Sequence, residues 1–220
     1  RTDPGLCEIR VRQSRATLRW MKANGVRFHP NYGRQAYRVD GRFKFWGGAP
    51  IVVSGGGQGL VDALFKSAEK QGIEIVYGTR AFELIYDGNV VRGVKVKANG
   101  KIEEIKCKSV VIACGGFESS AEMRTRYLGP GWELAKVRGT PYNTGDGINM
   151  ALAIGASSYG NWSGSHAVQW DYNAPEFGDL SVGDNFQKHS YPWGILINAN
   201  GRRFVDEGAA RIRRDHLRGD

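Results

Sequence analysis

Four segments of the chain have the residue pattern of helices. In the clearest one, Leu60, Leu64 and Ala68 recur about once per turn, and Gly72 follows as a stop signal. An arginine-rich segment near the start ends at Asn24-Gly25, where glycine can take the left-handed cap conformation. The predicted helices cover residues 5–24, 58–71, 119–128 and about 145–155.

Strand patterns lie between these helices. Aromatic residues and valines predict short strands within residues 26–53, and residues 73–77 predict another. Two turn signals, Asp87-Gly88-Asn89 and Asn99-Gly100, divide a β-meander. The apolar run of residues 110–113 is typical of a parallel strand buried on both faces. Together these elements predict an α/β fold like one half of a dinucleotide-binding domain.

The composition of the sequence changes after about residue 158. Trp, Asn, Asp, Gly and Pro dominate residues 159–194 with little periodicity, and one strand is expected at 195–198, before a turn at Asn200-Gly201. The expected domains are residues 1–158 and the start of a second domain over residues 159–220.

The net charge of +9 is concentrated near the start of the chain. Residues 1–45 hold eleven Lys and Arg against three Asp and Glu. Such a stretch is a solvated helix face, a patch for an acidic partner or a funnel for an anionic substrate. No nucleic-acid-binding motif accompanies the charge, so no nucleic-acid partner is expected.

The cysteines and the chain start bear on compartment and completeness. Three cysteines without metal-ligand spacing predict neither a metal site nor a disulfide framework, and they indicate a reducing, cytoplasmic compartment. No apolar run is long enough to span a bilayer. The first residue is Arg1 rather than methionine, from which we expect a piece of a longer chain.

Two glycine-rich turns are candidates for ligand contact. Gly115 and Gly116 follow the 110–113 run, at the strand end where such folds bind ligands, although a plain strand-to-helix turn has the same sequence pattern. Thr144-Gly145-Asp146-Gly147 opens a helix with Thr144 as the expected N-cap, and its free N–H groups face either a ligand or an ordinary cap. Residues 55–59 lack the GxGxxG spacing, so the phosphate-binding strand–turn–helix is expected to be missing.

Charged residues of the second segment are candidates for substrate contact. His166 and His189 lie in its irregular part, where a histidine serves either the structure or a substrate. Arg203, Glu207 and Arg211 follow the 195–198 strand. Arginine suits bidentate binding of carboxylates, but the same residues also suit a surface set of ion pairs.

Several motifs occur in an order that resembles a known family. Residues 110–117 read Val-Val-Ile-Ala-Cys-Gly-Gly-Phe, residues 143–147 read Asn-Thr-Gly-Asp-Gly, and residues 201–207 read Gly-Arg-Arg-Phe-Val-Asp-Glu. The chain resembles the flavoprotein subunits of succinate dehydrogenase and fumarate reductase over residues 1 to about 209. Within that class the resemblance is greatest to the tricarballylate dehydrogenases, and it rests on residues 33–37, 40–48, 59–65 and 183–192.

The resemblance implies FAD as cofactor. It also implies a partial Rossmann-like FAD-binding domain with a β-meander, followed by the start of an α+β capping domain. The backbone of Arg80 and Ala81 would face the adenosine part, and Cys114 stands where the family has threonine. The residues expected to contact FAD are Arg80, Ala81, Ala113, Cys114, Gly115, Gly116, Thr144, Gly145 and Asp146.

The chemistry implied by the resemblance is hydride transfer at a C–C bond beside carboxylates of a tricarboxylate or dicarboxylate. Oxidation of tricarballylate to cis-aconitate is the expected reaction. His166 would bind a substrate carboxylate, and Arg211, four residues after Glu207, would move the proton. The expected catalytic residues are His166, His189, Glu207 and Arg211.

The resemblance further implies a membrane-bound electron-transfer partner, and with it a peripheral place at the inner face of the membrane.

Three alternatives stay open. The chain could come from a fumarate reductase-like flavoprotein or from a ketosteroid dehydrogenase-like flavoprotein. It could also be a truncated fragment that cannot hold FAD. Residues 186–190 read Phe-Gln-Lys-His-Ser where fumarate reductases carry Thr-Glu-x-x-Arg, which favours the tricarballylate interpretation.

Overall fold

A computed structural model of the chain describes residues 3–33, 36–45, 50–183, 185–187 and 194–207. The chain folds as two compact units, Arg1–Tyr77 and Gly78–Asp220. The mixture of helices and strands agrees with the predicted α/β class, and the Rossmann-like and capping-domain parts of that expectation stay predictions. The expected boundary near residue 158 stays a prediction.

The first unit contains two helices and two small antiparallel sheets. The Asp3 carboxylate accepts the Leu6 N–H at 2.9 Å and caps the first helix, which ends where Gly25 takes a φ of +91°. The Ser67 hydroxyl lies 2.7 Å from Asn24 Oδ1 and joins the two helices. The elements are α1 (Pro4–Ala23), β1 (Phe28–Pro30), β2 (Ala36–Val39), β3 (Arg42–Phe45), β4 (Ile51–Val53) and α2 (Gly56–Lys70), with β1 paired to β4 and β2 to β3. Both predicted helices are confirmed.

The basic residues of the first unit lie in water. All five Arg and Lys side chains of α1 are exposed, in agreement with a solvated basic face. An acidic partner or an anionic substrate for this face stays a prediction. Among the described residues, no helix is long and apolar enough to cross a bilayer.

The second unit is built on the predicted β-meander. Its three antiparallel strands are β5 (Thr79–Tyr86), β6 (Val91–Ala98) and β7 (Lys101–Lys106). The turn between β6 and β7 has left-handed φ values of +49° at Asn99 and +78° at Gly100, as the Asn-Gly signal predicts. Leu84 and Val96 are buried on this sheet.

Helical segments follow the meander. They are α3 (Ala121–Leu128), a short 3₁₀ helix (Trp132–Leu134) and α4 (Asp146–Ala153), which contacts β5. The Ser120 hydroxyl accepts the Met123 N–H at 3.2 Å and caps α3. Met123 on α3 and Met150 on α4 are buried. The predicted helices at 119–128 and 145–155 are therefore confirmed.

Three predicted strands do not form as such. Residues 73–77 and 110–113 belong to no strand in the part of the chain that the structure describes, and residues 195–198 contribute a single bridge, Ile197 to Arg203. An apolar run becomes a strand only where a neighbouring strand completes its backbone hydrogen bonds. In this chain Val111 is 89% exposed, so the apolar pattern indicates a burial that the described residues do not provide.

Gly93 offers a direct test of the meander. A Cβ added there would clash with the Ile105 carbonyl on β7, which is backbone and cannot rotate away. We predict that Gly93→Ala lowers the free energy of unfolding by about 1–3 kcal/mol, the usual cost of overpacking. Urea unfolding followed by circular dichroism measures this loss.

Gly139→Ala is the matched control, because a Cβ at Gly139 meets no heavy atom within 4 Å. We expect no loss of stability in the control. Equal stability of the Gly93 variant and the control would contradict the close approach of β6 and β7.

Candidate functional site

An ion pair joins the meander to the start of α4. Arg80 on β5 donates two hydrogen bonds to Asp146, from Nε to Oδ2 at 2.7 Å and from Nη2 to Oδ1 at 2.8 Å. The Asp146 side chain is 24% exposed and that of Arg80 is 66% exposed. The paired guanidinium, aided by the Thr144 hydroxyl, holds the pKa of Asp146 below its ordinary value. Two segments predicted to contact FAD are thus brought together.

Residues 113–116, the third segment predicted to contact FAD, lie at the same end of α4. The Gly145 N–H donates to the Gly116 carbonyl at 3.1 Å. A Cβ at Gly147 would lie 2.5 Å from Ile112 Cγ2 and 3.0 Å from Cys114 Cβ. Glycine at the first turn of α4 therefore lets the helix approach residues 112–116 closely.

The Gly115 turn is held by Asn143. Gly115 has a φ of +77°, and a Cβ there would lie 3.0 Å from Asn143 Oδ1. The Asn143 carbonyl accepts the Ser119 N–H at 2.9 Å, and its amide donates to Glu118 Oε1 at 2.6 Å. The backbone of the turn is consequently fixed from its α4 side.

The predicted N-cap of α4 is wrong by one residue. Gly145, with a φ of +81°, occupies the cap position, and no side chain caps the helix there. Thr144 instead lies with its hydroxyl 3.2 Å from Asp146 Oδ1. A left-handed cap needs glycine, and a Cβ at Gly145 would also clash with the Met123 sulfur. Thr144 therefore supports the carboxylate rather than the helix end.

A cleft of about 630 Å³ opens beside the turn. Gly116 and His166 both line it, so one predicted cofactor residue and one predicted substrate residue share a cavity. Glu118, Arg124 and Trp162 are further wall residues. His166 is exposed to solvent within the second unit. An open cleft with a histidine, a carboxylate and aromatic rings suits a small ligand with both polar and apolar parts.

Aromatic side chains form one side of this region. The rings of Tyr127 and Trp162 meet edge to face at 4.8 Å between centroids, and Phe117 lies 5.5 Å from Tyr127. The Trp162 indole N–H donates to the Tyr159 carbonyl at 3.1 Å. These ring contacts connect the segment that contains Trp162 and His166 with Phe117, the residue that follows Gly116.

Glu207 is buried and fully engaged. Its carboxylate accepts from Arg203 Nη2 at 2.5 Å and from the Leu196 N–H at 2.5 Å, and the residue is 5% exposed. The Arg203 guanidinium and the Leu196 N–H lower the pKa of Glu207 to about 2. In these contacts Glu207 holds the turn between residues 196 and 203, and its expected catalytic role stays a prediction.

Other parts of the predicted site lie apart or outside the description. His189 and Arg211 lie outside the described residues. Arg124, Asn143 and Glu118 support the turn but were not predicted from the sequence. Asn143 opens the 143–147 motif but received no role from it, and no motif marks Glu118 or Arg124, because a buried arginine on a short helix has the same sequence pattern as an exposed one. Among the residues that the structure covers, no three His, Cys, Asp or Glu side chains group as metal ligands would.

Comparison with known proteins assigns the family. The sequence model of the FAD binding domain, FAD_binding_2, matches residues 1–217. The chain belongs to this family. The expected FAD cofactor is thereby confirmed, and the family is one of FAD-dependent enzymes.

Two similar proteins are named as a dehydrogenase and a reductase. The chain is 24% identical over 203 residues to a 3-oxosteroid 1-dehydrogenase of Mycobacterium tuberculosis, across 90% of this chain and 35% of that protein. It is 28% identical over 211 residues to a probable fumarate reductase of Shewanella frigidimarina, across 95% of this chain and 34% of that protein. The chain thus spans about a third of the length of these curated relatives.

A solved structure supports the fold. The crystal structure of 3-ketosteroid-Δ4-(5α)-dehydrogenase from Rhodococcus jostii, in complex with 4-androstene-3,17-dione, superposes with a TM-score of 0.60. The match covers 94% of this chain and 46% of that chain at 22% identity. At this identity the likeness shows the fold alone.

The described residues fit FAD. Ala113, Cys114 and Gly115 are exposed, so their backbone is open to a flat ligand, and Gly116 brings no side chain into the cleft wall. Arg80 and Asp146 stand at the neighbouring end of α4. Contact of each residue with the cofactor stays a prediction.

The Arg80–Asp146 pair can be tested by a double-mutant cycle. We predict a coupling of about 0.5–1 kcal/mol at pH 7 for Arg80→Ala and Asp146→Ala, because the bidentate pair is partly exposed. Since the folded pKa of Asp146 is lowered, the coupling should be complete above its unfolded pKa and vanish as the pH falls through the folded one. Urea unfolding of the four proteins across this pH range measures it.

The Arg12–Glu8 pair on α1 serves as the control cycle, because its side chains are 75% and 61% exposed. We expect a smaller coupling there. Equal couplings in both cycles would show that the Arg80 pair has no special part in the second unit.

Glu207 gives a separate prediction. Carbon-detected NMR of labelled glutamate should show its carboxyl titrating near pH 2. Its stabilising contacts should therefore be present above the ordinary glutamate pKa of about 4.3 and be lost as the pH falls toward the lowered value. Arg203→Met should raise the midpoint of the Glu207 carboxyl. An unchanged midpoint in that variant would contradict the ion pair.

Proposed function

We propose that the protein is an FAD-dependent oxidoreductase that oxidises or reduces a C–C bond beside a carboxylate. Among such substrates we propose tricarballylate, oxidised to cis-aconitate. The observation that carries the proposal is the meeting of Gly116 and His166 in one cleft, beside the assembled segments at Arg80 and Gly145. The similarity to a probable fumarate reductase supports a carboxylate substrate.

The residues divide the work. When bound, FAD supplies the hydride acceptor or donor. His166 binds and orients a substrate carboxylate, and the aromatic wall at Phe117 and Trp162 keeps the neighbouring carbons out of water. Transfer of the proton at the adjacent carbon is assigned to Arg211 from its position in the sequence alone.

A steroid substrate is the second candidate. The rings of Phe117, Tyr127 and Trp162 form an apolar group, and the chain is similar to a 3-oxosteroid 1-dehydrogenase. A fused-ring ketone would use the same hydride chemistry, with a carbonyl in place of the carboxylate as the activating group. His166 in the cleft can donate a hydrogen bond to a carboxylate, which favours the carboxylate substrate over this one.

Cofactor binding is the first experiment. The purified chain is titrated with FAD, and the flavin fluorescence and visible absorbance are followed. We expect saturable binding with one FAD per chain. A colourless protein that leaves added FAD fluorescent would overturn the proposal that this chain is itself the oxidoreductase.

Substrate choice is the second experiment. The FAD-loaded protein is mixed with tricarballylate, succinate or a 3-oxosteroid and an artificial electron acceptor. We expect turnover of tricarballylate, and His166→Ala should raise its KM about ten- to hundredfold, the worth of one hydrogen bond to a charged group. The affinity for FAD should not change in this variant.

His29→Ala is the control, because His29 lies on β1 in the first unit and contacts Ser54 at 3.0 Å. We expect an unchanged KM in the control. Turnover of the steroid alone would refute the carboxylate substrate while leaving the FAD enzyme intact.

A further inference from the structure

Arg124 is a buried cation whose guanidinium is hydrogen-bonded to backbone carbonyls. It lies on α3 and is 5% exposed. Its guanidinium donates to three backbone carbonyls: those of Glu118, of Trp132 at 2.9 Å and of Glu133 at 3.0 Å. Burying a charge is costly unless its donors are satisfied, so this arrangement needs a reason beyond filling space.

The three carbonyls belong to two different stretches of backbone. Trp132 and Glu133 lie in the 3₁₀ helix that follows α3. Glu118 ends the turn that contains Gly115 and Gly116, and it joins that turn to α3. The guanidinium therefore clamps the turn to a helical segment that follows it in the chain.

The clamp continues through side chains on the other side of the turn. The Glu118 carboxylate accepts the Asn143 amide at 2.6 Å, and Asn143 flanks Gly115. The turn is thus held by Arg124 through the Glu118 carbonyl and by Asn143 through the Glu118 carboxylate. Both contacts are made next to Gly115 and Gly116, and Gly116 lines the cleft.

Only arginine can make all three bonds at once. Its planar guanidinium presents five N–H groups in a fixed fork, whereas a lysine ammonium is a compact point donor on a flexible stem. Methionine would fill similar space but would leave the three partly buried carbonyls without the guanidinium donor. A residue that only fills space in the core would not need this donor geometry, so the geometry indicates a positioning role.

We propose that Arg124 is a positioning residue that holds the 115–118 turn in the conformation that receives FAD. The inference rests on the proposed function for the identity of the ligand. The positioning itself concerns the backbone of this chain and can be measured without FAD.

Three amides report on the turn. The Ser119 N–H bonds the Asn143 carbonyl at 2.9 Å, the Ser120 N–H bonds the Phe117 carbonyl at 2.9 Å, and the Gly145 N–H bonds the Gly116 carbonyl at 3.1 Å. Their hydrogen exchange in the FAD-free chain is compared among wild type, Arg124→Lys and Arg124→Met. We expect exchange about tenfold faster or more in Arg124→Met, with Arg124→Lys between the two.

Arg126→Met is the matched control. Arg126 lies two residues along the same helix, with a side chain that is 61% exposed and paired to Glu122. Exchange at the three reporter amides should stay at the wild-type rate. The amides of β5 to β7 serve as an internal reference, because global loss of stability would speed them as well.

The affinity for FAD provides the second readout. Arg124→Met should raise the Kd for FAD about tenfold or more, Arg124→Lys less, and Arg126→Met not at all. If Arg124→Met speeds exchange everywhere, the comparison of Arg124→Lys with wild type decides instead. Unchanged exchange at the reporter amides in a folded Arg124 variant would overturn the inference.

The two proposals fail in different ways. A wild-type chain that does not bind FAD refutes the proposed function. The hydrogen exchange of the reporter amides still decides in that case whether Arg124 holds the turn. A wild-type chain that binds FAD, together with an Arg124→Met variant that binds it equally well, sinks the positioning role and leaves the proposed function standing.

Discussion

The candidate site depends on how closely the first turn of α4 approaches residues 112–116. Gly145 and Gly147 make this approach possible, because a side chain at either would meet Met123 or Ile112. The Gly145 N–H then bonds the Gly116 carbonyl. A helix start and a glycine turn that are far apart in the sequence thus become one surface. The requirement is steric, so it holds whether or not a ligand is present.

An ion pair adds to the close approach that the glycines permit. Arg80 on β5 reaches Asp146 in the first turn of α4, which fastens the helix to the sheet on one side. A carboxylate at a helix start is favoured by the helix dipole, and the guanidinium adds two directed hydrogen bonds to it. Arg80 remains 66% exposed, so the pair keeps its link to water and contributes orientation more than stability.

Local patterns predicted local structure well. The glycine after α1, the Asn-Gly turn of the meander and the apolar period of α2 each act over a few residues, and each formed as expected. The strand expected at 110–113 failed because a strand depends on its neighbours rather than on its own residues. Arg124 was missed for a similar reason, since burial and partners come from tertiary packing. The glycine turns were found because their conformation demands that residue type.

The failed strand explains why the supporting side chains matter. In a dinucleotide-binding fold the ligand-facing turn is usually held at the end of a paired parallel strand. In the described part of this chain, residues 110–113 have no strand pairing, and Val111 is 89% exposed. Among the described residues, the contacts to this turn come from the α4 side, through Asn143 and the glycines, and from the Arg124 hydrogen bond to the Glu118 carbonyl. A turn held by side chains rather than by a sheet is sensitive to single substitutions, because each contact it loses has no ladder of backbone bonds to replace it.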